Sequence, residues 1–244
     1  MFETKRLLDF EVLNEKFSDS VLKHYYGQKL IVNTISPNSY GISTFNKKFK
    51  DALCGSILAL DGVYFALASI LKGNGYVVEN QGPHITYDTL EFANKNSLKV
   101  FFLGSTQKTL VKIMKRLSKE YPNISSATYS PPFKDKFDDE DNIKICQVIN
   151  KFSPDILLIG MTCPKQEIWI HQNKDNINFK ISLSIGGVFD WYAGNIKEIP
   201  QIWWDLKLGW LYRIIQRPEI IKRNYRNTGI FIKDLIKEVL RFEK

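Results

Sequence analysis

Through the middle of the chain, short runs of β-branched and apolar residues alternate with stretches whose apolar positions recur every three or four residues. That alternation predicts an α/β fold, a mainly parallel sheet flanked by helices. Strands are expected at residues 30–34 (LIVNT), 57–61 (ILALD), 99–104 (KVFFLG), 125–129, 155–160 (DILLIG) and 181–186 (ISLSIG). Helices are expected over 38–53, 63–72, 106–121 and 139–152, the last with an acidic start that suits the positive end of a helix dipole. Pro131 and Pro132 stop the fourth strand. Residues 73–83 are Gly- and Asn-rich without periodicity and read as a loop free to move. The first 27 residues read as a small α or α+β element, and a helical appendage begins near Pro200. The expected organisation is a core over 1–199 and an appendage over 200–244.

Composition adds little until charge is considered. The chain has 244 residues, 44% of them hydrophobic and 25% charged, an ordinary globular balance. Cys54, Cys146 and Cys163 are odd in number and widely spaced, which excludes a disulfide scaffold or a Cys-based zinc module and reads as free thiols in a reducing compartment. Charged residues within the first fourteen positions argue against a signal peptide, and no apolar run nears the roughly 20 residues that span a bilayer. Lys and Arg number 34 against 26 acids, a net charge of +8 that calls for an anionic partner. From Asn195 to Lys244, eleven cations face six acids, an excess of five, interleaved with Trp203, Trp204, Trp210, Tyr212 and Tyr225. This segment is compatible with a helix packed on the domain with a solvated basic face, with a lipid-headgroup surface, or with nucleic acid.

The polar residues that stand out fall at the expected strand ends. In open parallel sheets these ends form the ligand edge. Thr34 and Asp61 close two strands. Asp61 reads either as the cap of the next helix or as a shielded base. Gly104 and Ser105 lead into a helix and offer a plain turn or phosphate-facing N–H groups. Pro131 follows the fourth strand; Pro164-Lys165-Gln166-Glu167 sets an amide, a cation and an acid on a helical first turn after the fifth. Gly186 and Gly187 follow the sixth, with Asp190 either capping or touching ligand. Asp138 to Asp141 contains the Asp-any-Asp pattern of metal-dependent nucleotide-sugar transferases, but it opens an amphipathic helix and reads as a solvated first turn. His24, His84 and His171 lack metal-ligand spacing, and no Walker or dinucleotide fingerprint is present. What remains is a nucleotide or phosphate site with a carboxylate base, no metal and no cofactor.

Three runs make this reading specific: PDILLIGMTCPKQEIWI (154–170), IGGVFDWYAG (185–194) and IPQIWWDLKLGWLYRIIQRP (199–218). With NTISPNSY, LDG, FFLGS and SPPF upstream in order, the chain resembles the WecG/TagA/CpsF glycosyltransferases over about residues 30–231. The resemblance implies a Rossmann-like domain with a basic C-terminal appendage, and a metal-independent, inverting transferase of bacterial surface polysaccharide assembly. Its implied partners are a UDP-sugar donor, a polyprenyl-pyrophosphate-linked acceptor and the cytoplasmic face of the inner membrane, where it would sit peripherally. Nucleic acid falls away, and a homo-oligomer stays open. By position, Asp61 resembles the general base and Thr34 and Gln166 the polar residues beside it. Arg213 and Arg223 resemble the appendage arginines that reach a pyrophosphate, with Ser36, Asn38 and Arg217 in the same surroundings. The chain departs from the pattern at Ser36 (commonly Asn), Asn80 (Arg), Gly209 (an acid) and Ile220 (Arg), where Arg217, Lys222 or Arg226 would have to substitute. The alternative is a non-catalytic nucleotide-sugar-binding component of an assembly complex.

Overall fold

A computed structural model describes residues 2–24, 29–73 and 75–242; residues 1 and 25–27 of the expected N-terminal element, residue 74 of the expected loop and residues 243 and 244 of the expected appendage lie outside it. The chain opens on a hairpin, β1 (Thr4–Leu7) and β2 (Phe10–Leu13), and a short helix α1 (Phe17–Ser20). The core then runs β3 (Leu30–Ile35), α2 (Pro37–Ser43), α3 (Lys47–Cys54), β4 (Ile57–Leu60), α4 (Val63–Leu71), α5 (Gly82–Lys95), β5 (Lys99–Gly104) and α6 (Gln107–Glu120). It continues with β6 (Ser125–Tyr129), α7 (Asp139–Phe152), β7 (Ile156–Gly160), α8 (Lys165–Asn173), β8 (Ile181–Ser184) and α9 (Val188–Tyr192). The C-terminal segment holds α10 (Gln201–Asp205), α11 (Gly209–Gln216) and α12 (Glu219–Phe242).

Six strands form one parallel sheet in the order β4-β3-β8-β7-β5-β6, so all their carboxyl ends share one edge. The central strands are apolar throughout because both faces are covered. On β5, Val100 and Phe102 face one core while Phe101 and Leu103 face the other; on β7, Ile156 and Leu158 oppose Leu157 and Ile159 in the same way. A third cluster covers the β4 side, where Leu7, Phe10 and Val12 of the hairpin meet Leu58 and Leu60. The polar edge strand β6 (SSATY) is partly exposed, as an edge tolerates.

Two expectations are corrected. The single helix over 38–53 is two helices, because the Asn46 side-chain Oδ1 accepts the Phe49 N–H at 3.1 Å and caps α3, a role Asn fills better than a helix interior. The loop over 73–83 ends early: Gly82 and Pro83 are the first turn of α5, which buries Ile85, Leu90 and Ala93. The Asp138 carboxylate caps α7 in a capping box with Asp141, and both pair with Lys134 at 2.8 Å, which accounts for the acidic run without a metal.

The expected appendage joins the core at its midpoint. Phe231 of α12 is buried in the third cluster, stacked on Phe65 at 4.8 Å and edge-on to Tyr40 at 5.6 Å. A Cβ on Gly41 would lie 2.4 Å from the Asn227 carbonyl oxygen, so α2 and α12 approach to backbone contact. Asn227 also donates to Asn38 Oδ1 at 2.9 Å.

Candidate active site

The carboxyl edge of the sheet opens into a cavity of about 760 Å³, roofed by α11 and the start of α12. Thr34, Ser36, Asn38, Asp61, Gly104, Ser105, Pro131, Lys165, Gln166, Gly186, Gly187, Asp190, Arg213, Arg217 and Arg223 all line it. The strand ends bring the core residues together, and the three arginines arrive only because α11 and α12 fold back across that edge.

Asp61 does not cap α4. The cap position is Gly62, whose φ of 101° turns the chain sharply out of β4. The Asp61 N–H donates to the Ile35 carbonyl at 2.9 Å, tying the ends of β3 and β4 together and leaving its carboxylate free to face the roof. There Arg213 Nη1 lies 3.8 Å from Asp61 Oδ2, with both side chains mostly buried. The guanidinium also lies over the rings of Trp191 and Trp204 at 4.8 and 5.6 Å, which fixes its plane.

Gln166 is buried and fully engaged. Its Oε1 accepts N–H groups from Met161 (3.2 Å) and Gly186 (3.1 Å), and its Nε2 donates to Glu167 Oε1 at 2.9 Å. It therefore holds the loops after β7 and β8 in register rather than pointing a free amide at ligand. Ser36 is spent in a capping box with Ser39 at the start of α2. The Ser105 N–H is not available to phosphate, because it donates to the Gly160 carbonyl at 3.0 Å. Lys165 donates to the Lys134 carbonyl and sits 3.6 Å from the Phe137 ring centroid, on the cavity flank. Asp190 Oδ1 accepts from Asn195 at 3.0 Å, which secures the loop after α9. Arg217 Nε donates to Glu219 and Arg223 Nε to Asn224, leaving their remaining guanidinium N–H groups for other partners.

The departures from the family pattern have local explanations. Asn80 is buried and braces the N-terminal element, accepting the Phe17 N–H at 2.9 Å and donating to the Glu15 carbonyl at 2.9 Å. A Cβ at Gly209 would meet the Trp204 ring at 2.5 Å, so any larger residue would displace that indole. Ile220 lines the cavity; of the cations that could substitute for an arginine there, Arg217 lines it and Lys222 and Arg226 do not.

Glu167 was legible only as one more polar residue on a helical first turn. It is wholly buried, and burial pushes its carboxyl up to about 7, only partly offset by Gln166, its own backbone N–H and the neighbouring Cys163. The folded chain holds this proton to about pH 7, whereas the unfolded chain releases it near the ordinary 4.5. Stability should therefore fall between those values as pH rises, and level off above them, by at most roughly 3 kcal/mol. Glu167→Gln, which cannot ionise, is expected to match wild type in thermal unfolding below this window and to exceed it above. Parallel melting curves at every pH would show that Glu167 does not titrate there.

Among the described residues no group of three or more His, Cys, Asp or Glu could hold a metal ion, and no helix is long and apolar enough to cross a membrane.

Comparison with known proteins places the chain in a family. The chain is 29% identical over 210 residues to an N-acetylglucosaminyldiphosphoundecaprenol N-acetyl-beta-D-mannosaminyltransferase of Bacillus subtilis (strain 168), covering 85% of this chain and 80% of that protein. A protein of the same name from Staphylococcus aureus (strain MW2) is 26% identical over 216 residues, covering 88% of this chain and 83% of its own. Residues 7–244 match the model of the glycosyl transferase WecG/TagA/CpsF family, and the chain belongs to that family.

Proposed function

We propose that this glycosyltransferase moves a hexose-type sugar, of N-acetylmannosamine, uronic acid or plain hexose type, from UDP to a saccharide carried on polyprenyl diphosphate in bacterial surface polysaccharide assembly. The observation that carries the reading is the pairing of Asp61 with Arg213 inside one cavity at the sheet's carboxyl edge. An inverting transfer is a single displacement with two needs. The Asp61 carboxylate takes the proton of the acceptor hydroxyl as its oxygen bonds to the anomeric carbon. The bond from that carbon to the β-phosphate oxygen breaks, and UDP leaves with the electron pair. In this reading, Arg213, Arg217 and Arg223 stabilise the charge on the departing diphosphate. Arginine suits the task because its fork meets phosphate oxygens in pairs. No metal is assigned a part in the step.

The acceptors of the named relatives are lipid-linked, and the exposed face of α12, which runs on from the roof of the cavity, is suited to meet a membrane. Ile221, Tyr225, Ile232, Ile236 and Leu240 of α12 are exposed at helical spacing, beside the cations of the same helix. We place this face against the anionic cytoplasmic surface of the inner membrane, peripherally.

The test is UDP release from a panel of UDP-sugars with and without diphospholipid-linked N-acetylglucosamine. Release that depends on acceptor is expected for at least one donor. Binding of UDP with no acceptor-dependent release for any donor would favour the non-catalytic alternative.

A further inference from the structure

Behind Asp61 lies a second, smaller cavity of about 30 Å³ that the displacement described above does not use. Its polar wall is Asp61, Glu79, Gln81, Lys207 and Arg213, and its apolar wall is the pair of indoles of Trp204 and Trp210. The Glu79 side chain is only 4% exposed. Its Oε1 accepts from Gln81 Nε2 at 2.6 Å, while its Oε2, 3.6 Å from the Lys207 ammonium, has no hydrogen-bond partner. Gln81 Oε1 and Arg213 Nε are likewise buried and unpartnered. Lys207 reaches this position from a turn between α10 and α11 at a φ of 60°, a conformation rare for a side chain of its size.

Buried polar atoms nearly always have a hydrogen-bond partner, so three without one in the walls of one small cavity mark a place for a water or for a ligand group that displaces it. The signs of the atoms say what. Of the three, Glu79 Oε2 and Gln81 Oε1 accept and Arg213 Nε donates, in a wall whose two carboxylates are balanced by two cations, so the group that fits is a neutral one that both donates and accepts: a hydroxyl. The indoles offer flat apolar surface to the C–H face of a sugar ring. The volume matches one or two waters, enough for a hydroxyl or hydroxymethyl arm. The ring itself would lie at the mouth, where Asp61 and Arg213 line both cavities.

We infer that this cavity is the acceptor-sugar subsite, in which Glu79 and Gln81 take acceptor hydroxyls and so hold the attacking hydroxyl against Asp61. The inference rests on the transferase reading above, with the donor diphosphate in the larger cavity. It divides the site by chemistry: the three arginines for the diphosphate in the larger cavity, and the Glu79 and Gln81 oxygens for acceptor hydroxyls in the smaller one, with Asp61 and Arg213 shared between them.

The test is calorimetric titration of the full chain, saturated with UDP, with farnesyl-diphosphate-linked N-acetylglucosamine and, separately, with farnesyl diphosphate alone. Glu79→Gln and Gln81→Ala are each expected to weaken the saccharide by about tenfold or more, the scale of a lost charge-assisted hydrogen bond. Both should leave UDP and farnesyl diphosphate affinities as in wild type. Unchanged saccharide affinity in both variants, or an equal loss for farnesyl diphosphate without sugar, overturns the subsite. Failure of the broader reading looks different: wild type binds UDP but not the saccharide, and both proposals then fall. If Asp61→Asn retains turnover while Glu79→Gln weakens the saccharide, the subsite stands and the base does not.

Discussion

Asp61→Asn is expected to lower kcat by about 10²–10⁴-fold while leaving UDP affinity intact. Asn has the size of Asp and can still accept a hydrogen bond, but it cannot take the proton of the incoming hydroxyl. The cavity should survive the change, because Arg213 is held over Trp191 and Trp204 as well as beside Asp61. Losing the Asp61 charge leaves the guanidinium fully available to diphosphate, so donor binding should not weaken. The loss therefore falls on kcat, the signature of a contact made in the transition state alone. Steady-state kinetics with a UDP titration measures both, and near wild-type turnover would show that Asp61 is not the base.

Phe231→Ala is expected to destabilise the fold by about 3–5 kcal/mol, the scale of a fully buried phenyl ring. Phe231 sits in the cluster with Phe65 and Tyr40, and truncating it removes its ring contacts with both. The same helix carries Arg223 and Asn224 to the cavity, so loosening its middle should cost activity before global unfolding. Ile236→Ala, on the exposed face, should change stability by no more than about 0.5 kcal/mol. Denaturant unfolding of the two variants checks this, and equal effects would show that α12 is not anchored by its midpoint. The same packing bears on removal of residues beyond Pro200: it would uncover Tyr40 and Phe65, so a stable truncated core is not expected.

The sheet was legible where local signals agree. Residues 99–104 are a strand because an apolar run of the right length meets a glycine, 125–129 a short edge strand because Pro131 and Pro132 stop it, and 139–152 a helix because helical spacing starts at a real cap. The break between α2 and α3 was hidden because apolar spacing continues through it, and only the Asn46 side chain decides the matter. The helix α5 was hidden by Gly82-Pro83, which serves here as a helix start rather than a loop end. At the site, the strand-end rule gathered Thr34, Asp61, Gln166 and the glycines without any tertiary information. The roles of Gln166 and Glu167 in bracing two loops, and the burial of Glu79 and Gln81, depend on which elements pack over them. No spacing in a single sequence carries that. The arginines needed the family resemblance, since nothing local says that α11 and α12 turn back over the sheet.

The most direct test of the central claim, a single displacement based on Asp61, is the anomeric configuration of the lipid-linked product made from an α-linked UDP-sugar. It can be read from the one-bond C–H coupling of the new anomeric carbon. A β-linked product, formed with one UDP released per sugar transferred, is the result expected. An α-linked product would require two displacements through a covalent intermediate, and would contradict the assignment of Asp61 as base in a one-step transfer.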